Sequence, residues 1–187
     1  SFTTGHTGFG IPFATFPDRS DVPRNAARPL RYMDDYLMIT QGEVFYTTEM
    51  LAQLEGLQRG PAGNTSLCAA VALAREVPEG TTLVVQETEY TGAGKCPTAQ
   101  LTFAKSNGIE VRHGRREDSV PGKNILIPRN PEELGYERVD MDALRASYIK
   151  QVIKQYQKTR FSETEIAFLQ EDCRIDRQTL EHLTEKV

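Results

Sequence analysis

The chain lacks long apolar runs and has few cysteines. No stretch of its 187 residues approaches the ~18 apolar residues of a membrane-spanning helix, and its first residues show no signal-peptide pattern. The three cysteines lie far apart, and with the three histidines they form no zinc-ligand spacing. We therefore expect no metal site, no membrane association and, because sparse thiols are typical of reducing compartments, a cytoplasmic protein.

Positive charge is not in excess either. The formal net charge is -4, so the composition gives no general attraction to nucleic acid, which selects for clustered Lys and Arg. Hydrophobic residues make up 39% and charged residues 26% of the chain, as in globular proteins that bury a core. These values predict one large domain, or a domain with an appendage.

The central stretch is residues 59–100, RGPAGNTSLCAAVALAREVPEGTTLVVQETEYTGAGKCPTAQ. Its pattern predicts a glycine-bearing loop, an apolar helix over residues 67–74 that is packed on all sides, and a turn at residues 78–80 that ends this helix. A buried parallel strand over residues 82–87 and a second glycine-bearing loop follow. In α/β sheets, loops at the carboxyl ends of strands present residues to ligands.

The start of the apolar helix has two interpretations. Asn64, Thr65 and Ser66 are good capping residues, and free amide hydrogens at a helix start suit an anion or a substrate carboxylate. The alternative is a capped core helix with nothing bound. Asn64 and Thr65 are therefore candidates to line a substrate site.

Residues 1–29 show neither helical nor strand periodicity. A long irregular stretch in a compact domain is often a functional loop, so His6, Thr7 and Phe9 are further candidates to line a substrate site. Its glycines do not form a dinucleotide-binding fingerprint, because no apolar strand precedes them and prolines follow.

The remaining elements extend the α/β pattern and then change to helices. We predict strands at residues 35–40, 109–112 and 124–127 and helices at residues 41–56 and 97–106. From Asp140 onward the sequence predicts two or three helical segments, with caps at Asp140, at a box of Ser162 with Glu165, and at Asp176. The predicted organisation is therefore an α/β domain over residues 1–139 and a helical tail over residues 140–187, which is too weakly basic for helix-turn-helix DNA binding.

The loop at residues 91–95, TGAGK, superficially resembles a nucleotide-phosphate loop. That loop needs a glycine five residues before its Gly-Lys pair and a Ser or Thr after the lysine. Glu89 and Cys96 occupy those positions. We therefore do not expect an NTPase.

A resemblance to a known family lies in RYMDDYLMITQGEVFYTTEMLAQLEGLQRGPAGNTSLCAAVALA and the later LVVQETEYTGAGK. Both stretches are similar to the C-terminal portion of the 2-amino-4-ketopentanoate thiolase large (β) subunit family, and the likeness extends from Ser1 to about Asp142. More widely, the order of elements resembles the threonine synthase and tryptophan synthase β group, which are pyridoxal-phosphate enzymes of fold type II.

The resemblance implies that residues 1–139 are the C-terminal part of a pyridoxal-phosphate-dependent catalytic domain, with part of a fold type II sheet flanked by helices. In this group the Schiff-base lysine lies in an S-x-K motif, and a glycine-rich loop holds the phosphate. Neither motif occurs in these 187 residues. The resemblance therefore implies a chain that is inactive alone.

The activity implied for the intact protein belongs to amino-acid metabolism, in ornithine degradation. It is an acyl transfer in which 2-amino-4-ketopentanoate and coenzyme A give alanine and acetyl-CoA. The implied partners are a small thiolase subunit and the remainder of the large subunit. The sequence also leaves open a homodimer.

The resemblance assigns cofactor binding to Thr91, Gly92 and Gly94. Thr91 matches the family's Ser or Thr that bonds the pyridine nitrogen, although beside Gly92 it could equally be a turn residue. Two positions depart from the family pattern: Gly60 stands where many relatives have Glu, and Cys96 where His is expected. Two other functions remain open: a different pyridoxal-phosphate lyase or synthase of this fold, and a non-catalytic α/β ligand-binding or subunit-interaction module.

Overall fold

The computed structural model describes residues 30–61, 63–86, 97–120, 122–158 and 160–185. The chain divides into two compact units. Unit 1 holds the described residues from Leu37 to Glu137, and unit 2 holds residues 30–36 together with the described residues from Arg138 onward. Each unit is described by itself.

Unit 1 is an α/β arrangement. Its described helices are α1 (Gln41–Glu55), α2 (Asn64–Leu73) and α3 (Pro97–Ser106), and its described strands are β1 (Leu37–Met38), β2 (Glu110–His113) and β3 (Asn124–Ile127). Strand β4 (Glu137–Arg138) comprises the last residue of unit 1 and the first residue of unit 2 that follows it in sequence. Strands β2 and β3 are parallel, with Glu110 opposite Asn124 and His113 opposite Ile127. Single 3-10 turns cover Arg116–Asp118 and Pro131–Glu133.

Helix α1 begins and ends at local sequence signals. Thr40 and Glu43 form a capping box, in which the Thr40 amide donates to Glu43 Oε2 at 2.7 Å. Gly56 ends the helix in the left-handed conformation, at φ 66°. The predicted helix is confirmed.

Among the described residues of unit 1, two small clusters contribute to its core. Val44 packs with Cys68 and Leu134, whereas Phe45 packs with Ala104 and Ile125. The adjacent α1 residues Val44 and Phe45 therefore pack against different elements. Val44 contacts α2, whereas Phe45 contacts α3 and strand β3.

Gly42 allows α1 to approach β3 closely. A Cβ atom at this position would overlap the backbone carbonyl of Leu126. Only glycine fits here without a backbone shift.

Helix α2 differs from its prediction in capping, length and burial. Gly63 is the N-cap without a side-chain cap bond, and the helix ends at Leu73, before the turn at residues 78–80. The side chains expected to cap it bond elsewhere: Asn64 Nδ2 donates to Thr48 Oγ1 at 3.1 Å, and Ser66 Oγ donates to the Gln86 carbonyl at 2.9 Å. Most of its apolar residues are only half-buried, so the helix is not packed on all sides by the described residues.

The predicted buried strand at residues 82–87 is wrong for its described part. Residues 82–86 form no strand, and Val84 is 92% exposed. The β-branched run has strand propensity, but a ladder needs a neighbouring strand, and no described residue provides one. The strand predicted at residues 35–40 is also shorter in the structure, where β1 contains only two residues.

The strands predicted at residues 109–112 and 124–127 are confirmed. Strand β2 is displaced by one residue, and β3 has the predicted bounds. Helix α3 also has its predicted bounds, and Gly108 follows it at φ 77°.

Unit 2 contains three helices, α4 (Met141–Tyr156), α5 (Glu163–Cys173) and α6 (Arg177–Glu185). The three predicted caps are confirmed: Asp140 accepts two amides, Ser162 and Glu165 form a capping box, and Asp176 accepts the Thr179 amide at 2.7 Å. The core of this unit is built from Leu144, Tyr148, Ile149, Val152, Leu169, Cys173, Leu180 and Leu183. No helix in the described ranges is long and apolar enough to cross a membrane.

Candidate functional site

A cavity of about 670 Å³ lies in unit 1 at the carboxyl ends of the parallel strands β2 and β3. Its lining residues are Phe45, Tyr46, Glu49, Met50, Gln53, Leu54, Thr98, Leu101, His113, Ile127 and Pro131. The volume falls within the ~300–1,000 Å³ of small-molecule sites. The carboxyl edge of parallel strands is also where open α/β sheets bind ligands.

The cavity wall is mainly apolar and carries little positive charge. Phe45 and Leu101 form apolar surface, and Gln53 and Thr98 add neutral polar groups. No Lys or Arg occurs among the described residues that line it, and Glu49 is acidic. The cavity therefore favours a ligand, or a part of one, that carries no negative charge.

Tyr46 adds a neutral hydroxyl to the lining. Burial raises its pKa, and the carboxylates of Glu132 and Glu133 raise it further. The phenol is therefore protonated at neutral pH and can donate a hydrogen bond.

His113 is the imidazole among the described residues that line the cavity. Its Nδ1 lies 3.1 Å from the Ile127 carbonyl oxygen, which can only accept a hydrogen bond. In the neutral ring, Nδ1 therefore carries the proton and Nε2 is left as an acceptor. The parallel register that places His113 opposite Ile127 fixes this geometry.

A buried ion pair holds the first turn of α1. Glu43 is 1% exposed, and its Oε1 accepts the Gly135 amide at 2.9 Å and lies 3.7 Å from Arg116 Nη1. Arg116 Nη2 also donates to the Met38 carbonyl at 3.2 Å. These contacts tie α1, which supplies one wall of the cavity, to the segments around residues 116 and 135.

Asn64 and Thr65 lie at the start of α2 and do not line the cavity. Asn64 is fully buried, and its Oδ1 has no hydrogen-bond partner among the described residues. Thr65 is exposed. The other predicted site residues, His6, Thr7, Phe9, Thr91, Gly92 and Gly94, lie outside the described residues.

The two described cysteines are neutral thiols. Cys68 and Cys173 are buried and free, and burial raises the pKa of each to about 12. Because the thiolate is the nucleophilic form, neither is suited to catalysis at neutral pH. Within the described ranges, no group of three His, Cys, Asp or Glu side chains could hold a metal ion.

Sequence reasoning missed three residues of this region. The spacing of Thr40 and Glu43 matches a capping box, so Glu43 could have been placed at the start of α1. His113 directly follows a predicted strand, which is a signal for the carboxyl edge of a sheet. Arg116 carries no such signal, because its pairing depends on tertiary packing.

Comparison with known proteins gives a relative from an unknown prokaryotic organism, named "2-amino-4-ketopentanoate thiolase beta subunit", which is 60% identical over 176 residues. The chain is similar to thiolase beta subunits. A second protein of that name, from Acetoanaerobium sticklandii, is 54% identical over 176 residues. Each match covers 94% of this chain, but the chain spans only 37% and 38% of the length of the two beta subunits. No family model and no solved structure matches the chain.

Proposed function

We propose that this chain supplies part of the beta subunit of a 2-amino-4-ketopentanoate thiolase. The reaction of the whole protein is cleavage of 2-amino-4-ketopentanoate with coenzyme A to alanine and acetyl-CoA, an acyl transfer in ornithine degradation. The observation that carries this proposal is the identity of 60% and 54% to two such subunits across 94% of the chain.

The α/β arrangement of unit 1 is consistent with this proposal. It contains a parallel strand pair and a cavity at the carboxyl edge of that pair. The wider proposal is a catalytic domain of fold type II, of which unit 1 is one portion.

The proposed cofactor is pyridoxal phosphate, which when bound supplies an electron sink for a carbanion on the amino-bearing carbon. A Schiff-base lysine is desolvated, but none of the described lysines is buried; they are Lys105, Lys123, Lys150, Lys154 and Lys158. The described residues therefore do not form a cofactor site by themselves. We assign cofactor contact to Thr91, Gly92 and Gly94.

We further propose that His6, Thr7, Phe9, Asn64 and Thr65 line the substrate site. The proposed partners are the remainder of the beta subunit and a small thiolase subunit. A second copy of the chain, forming a homodimer, is a further proposed partner. The proposed location is the cytoplasm. Nucleic acid and membranes are not proposed as partners.

The experiment that tests the cofactor assignment is Thr91→Val in the complete polypeptide that carries this chain. Loss of the hydroxyl should change the absorbance of the bound cofactor and lower kcat while leaving fold stability nearly unchanged. Thr102→Val, at an exposed position of α3, is the control and should change neither. Unchanged spectrum and kinetics in Thr91→Val would overturn the assignment.

A further inference from the structure

We propose that the cavity at the carboxyl ends of β2 and β3 binds the uncharged arm of a thiol co-substrate, with His113 Nε2 accepting the thiol proton. The inference rests on the proposed function, because a thiolase transfers an acyl group to a thiol. It assigns the cavity to one portion of one ligand, the pantetheine arm of coenzyme A.

Charge selects this portion among the ligands of the proposed reaction. The amino-acid substrate carries a carboxylate, the cofactor carries a phosphate, and the nucleotide end of coenzyme A carries several phosphates. An anion taken out of water needs cationic or amide donors. Among its described lining residues the cavity has no Lys or Arg, and Glu49 would repel an anion.

The wall also matches the chemistry of the arm. Pantetheine alternates methylene groups with two amides and ends in a thiol. Phe45, Leu101 and Ile127 provide apolar surface, while Gln53 and Thr98 can bond amide groups. The cavity volume of about 670 Å³ is ample for a chain of this size.

The contact with Ile127 sets the tautomer of the neutral His113 ring. Its Nδ1–H donates to the Ile127 carbonyl, so Nε2 holds a lone pair. In the proposed step the S–H bond breaks, the electron pair stays on sulfur as a thiolate, and the proton goes to Nε2. The resulting imidazolium keeps its bond to Ile127, and the thiolate is the nucleophilic form of the co-substrate.

This wall is also close in sequence to the proposed cofactor loop. Thr98, which lines the cavity, is separated from Gly94 by three residues. The proposed thiol site and the proposed cofactor loop are therefore neighbours along the sequence.

The binding test measures the affinity of D-pantetheine for the complete polypeptide that carries this chain, by calorimetry or ligand-observed NMR. Leu101→Trp should project a larger side chain into the cavity, obstruct the apolar wall and weaken binding at least tenfold. Phe103→Trp is the matched control, because Phe103 lies two residues away on α3, is 66% exposed and does not line the cavity. Circular dichroism checks that both variants fold. A wild-type protein that does not bind pantetheine, or a Leu101→Trp variant that binds it as well as wild type, would overturn the inference.

The role of His113 is tested by titrating the thiol of bound pantetheine through its ultraviolet absorbance. In the wild type the thiol should ionise at a pH lower by about one unit or more than free pantetheine, because an imidazolium favours the thiolate. His113→Gln should remove this shift while pantetheine remains bound. An equal shift in both proteins would contradict the assignment.

These measurements need neither 2-amino-4-ketopentanoate nor turnover. If the complete enzyme makes no acetyl-CoA but pantetheine binds as described, only the proposed reaction fails. If acetyl-CoA forms but pantetheine does not bind in the cavity, only the present inference fails.

Discussion

Replacing Glu43 by Gln tests the buried network that positions α1. The substitution keeps the shape of the side chain but removes its charge. Its two carboxylate oxygens accept the amides of Thr40 and Gly135 at 2.7 and 2.9 Å, whereas a glutamine has one oxygen and must turn its NH₂ group toward one of these donors. Arg116, whose side chain is 16% exposed, also loses its ion-pair partner.

The expected cost follows from these losses. Removing one partner of a buried ion pair costs about 3–5 kcal/mol, and an unmade hydrogen bond to a charged group costs about 1.5–3 kcal/mol. The two values overlap, because both describe the same carboxylate. We therefore expect a loss of about 3 kcal/mol, which lowers the urea midpoint by about 1.5 M for a slope near 2 kcal/mol/M.

The assay is urea unfolding followed by circular dichroism, with amide hydrogen exchange of α1 to localise the effect. Glu55→Gln, at the exposed last residue of the same helix, is the control and should change stability by less than about 0.5 kcal/mol. In a double-mutant cycle with Arg116→Met, the two changes should be coupled by at least about 1 kcal/mol. A Glu43→Gln protein as stable as the control, or strictly additive effects, would refute the reasoning.

Three further predictions concern separate parts of the chain. Gly42→Ala should cost about 1–3 kcal/mol, because a Cβ atom there overlaps a β3 carbonyl; an unchanged thermal midpoint would contradict this. Cys68 and Cys173, whose pKa values burial raises to about 12, should react with a thiol reagent at pH 8 only after unfolding; rapid labelling of either in the native protein would show that it is accessible. The pKa of Glu165 is lowered from 4.5 to about 2, chiefly by its hydrogen bond from Lys158. Stabilisation of α5 by this carboxylate should therefore be complete above pH 4.5 and lost as the pH falls toward 2, and hydrogen exchange should show that this pH dependence is absent in Glu165→Gln.

Local signals allowed most of the helices to be predicted. Gly56 ends α1, and the Ser162–Glu165 box begins α5, because in both cases the interacting groups lie within one helical turn. The alternating sequence of residues 109–112 likewise indicated a strand close to β2.

Features that depend on distant residues could not be read from the sequence. Residues 82–86 have the composition of a buried strand, yet Val84 is 92% exposed, because a strand also needs a neighbour to pair with. Glu43 contacts Gly135 across 92 residues of sequence. The cavity has the same origin, since its wall combines α1, α3 and the ends of two strands.

The most direct test of the central claim is the reaction of the complete polypeptide that carries this chain, co-expressed with the proposed small thiolase subunit. The measurement is acetyl-CoA formed from 2-amino-4-ketopentanoate and coenzyme A, with alanine quantified in the same sample. We predict equal amounts of the two products, formed only when coenzyme A is present. A correctly assembled protein, supplied with the proposed cofactor pyridoxal phosphate, that forms neither product would contradict the account.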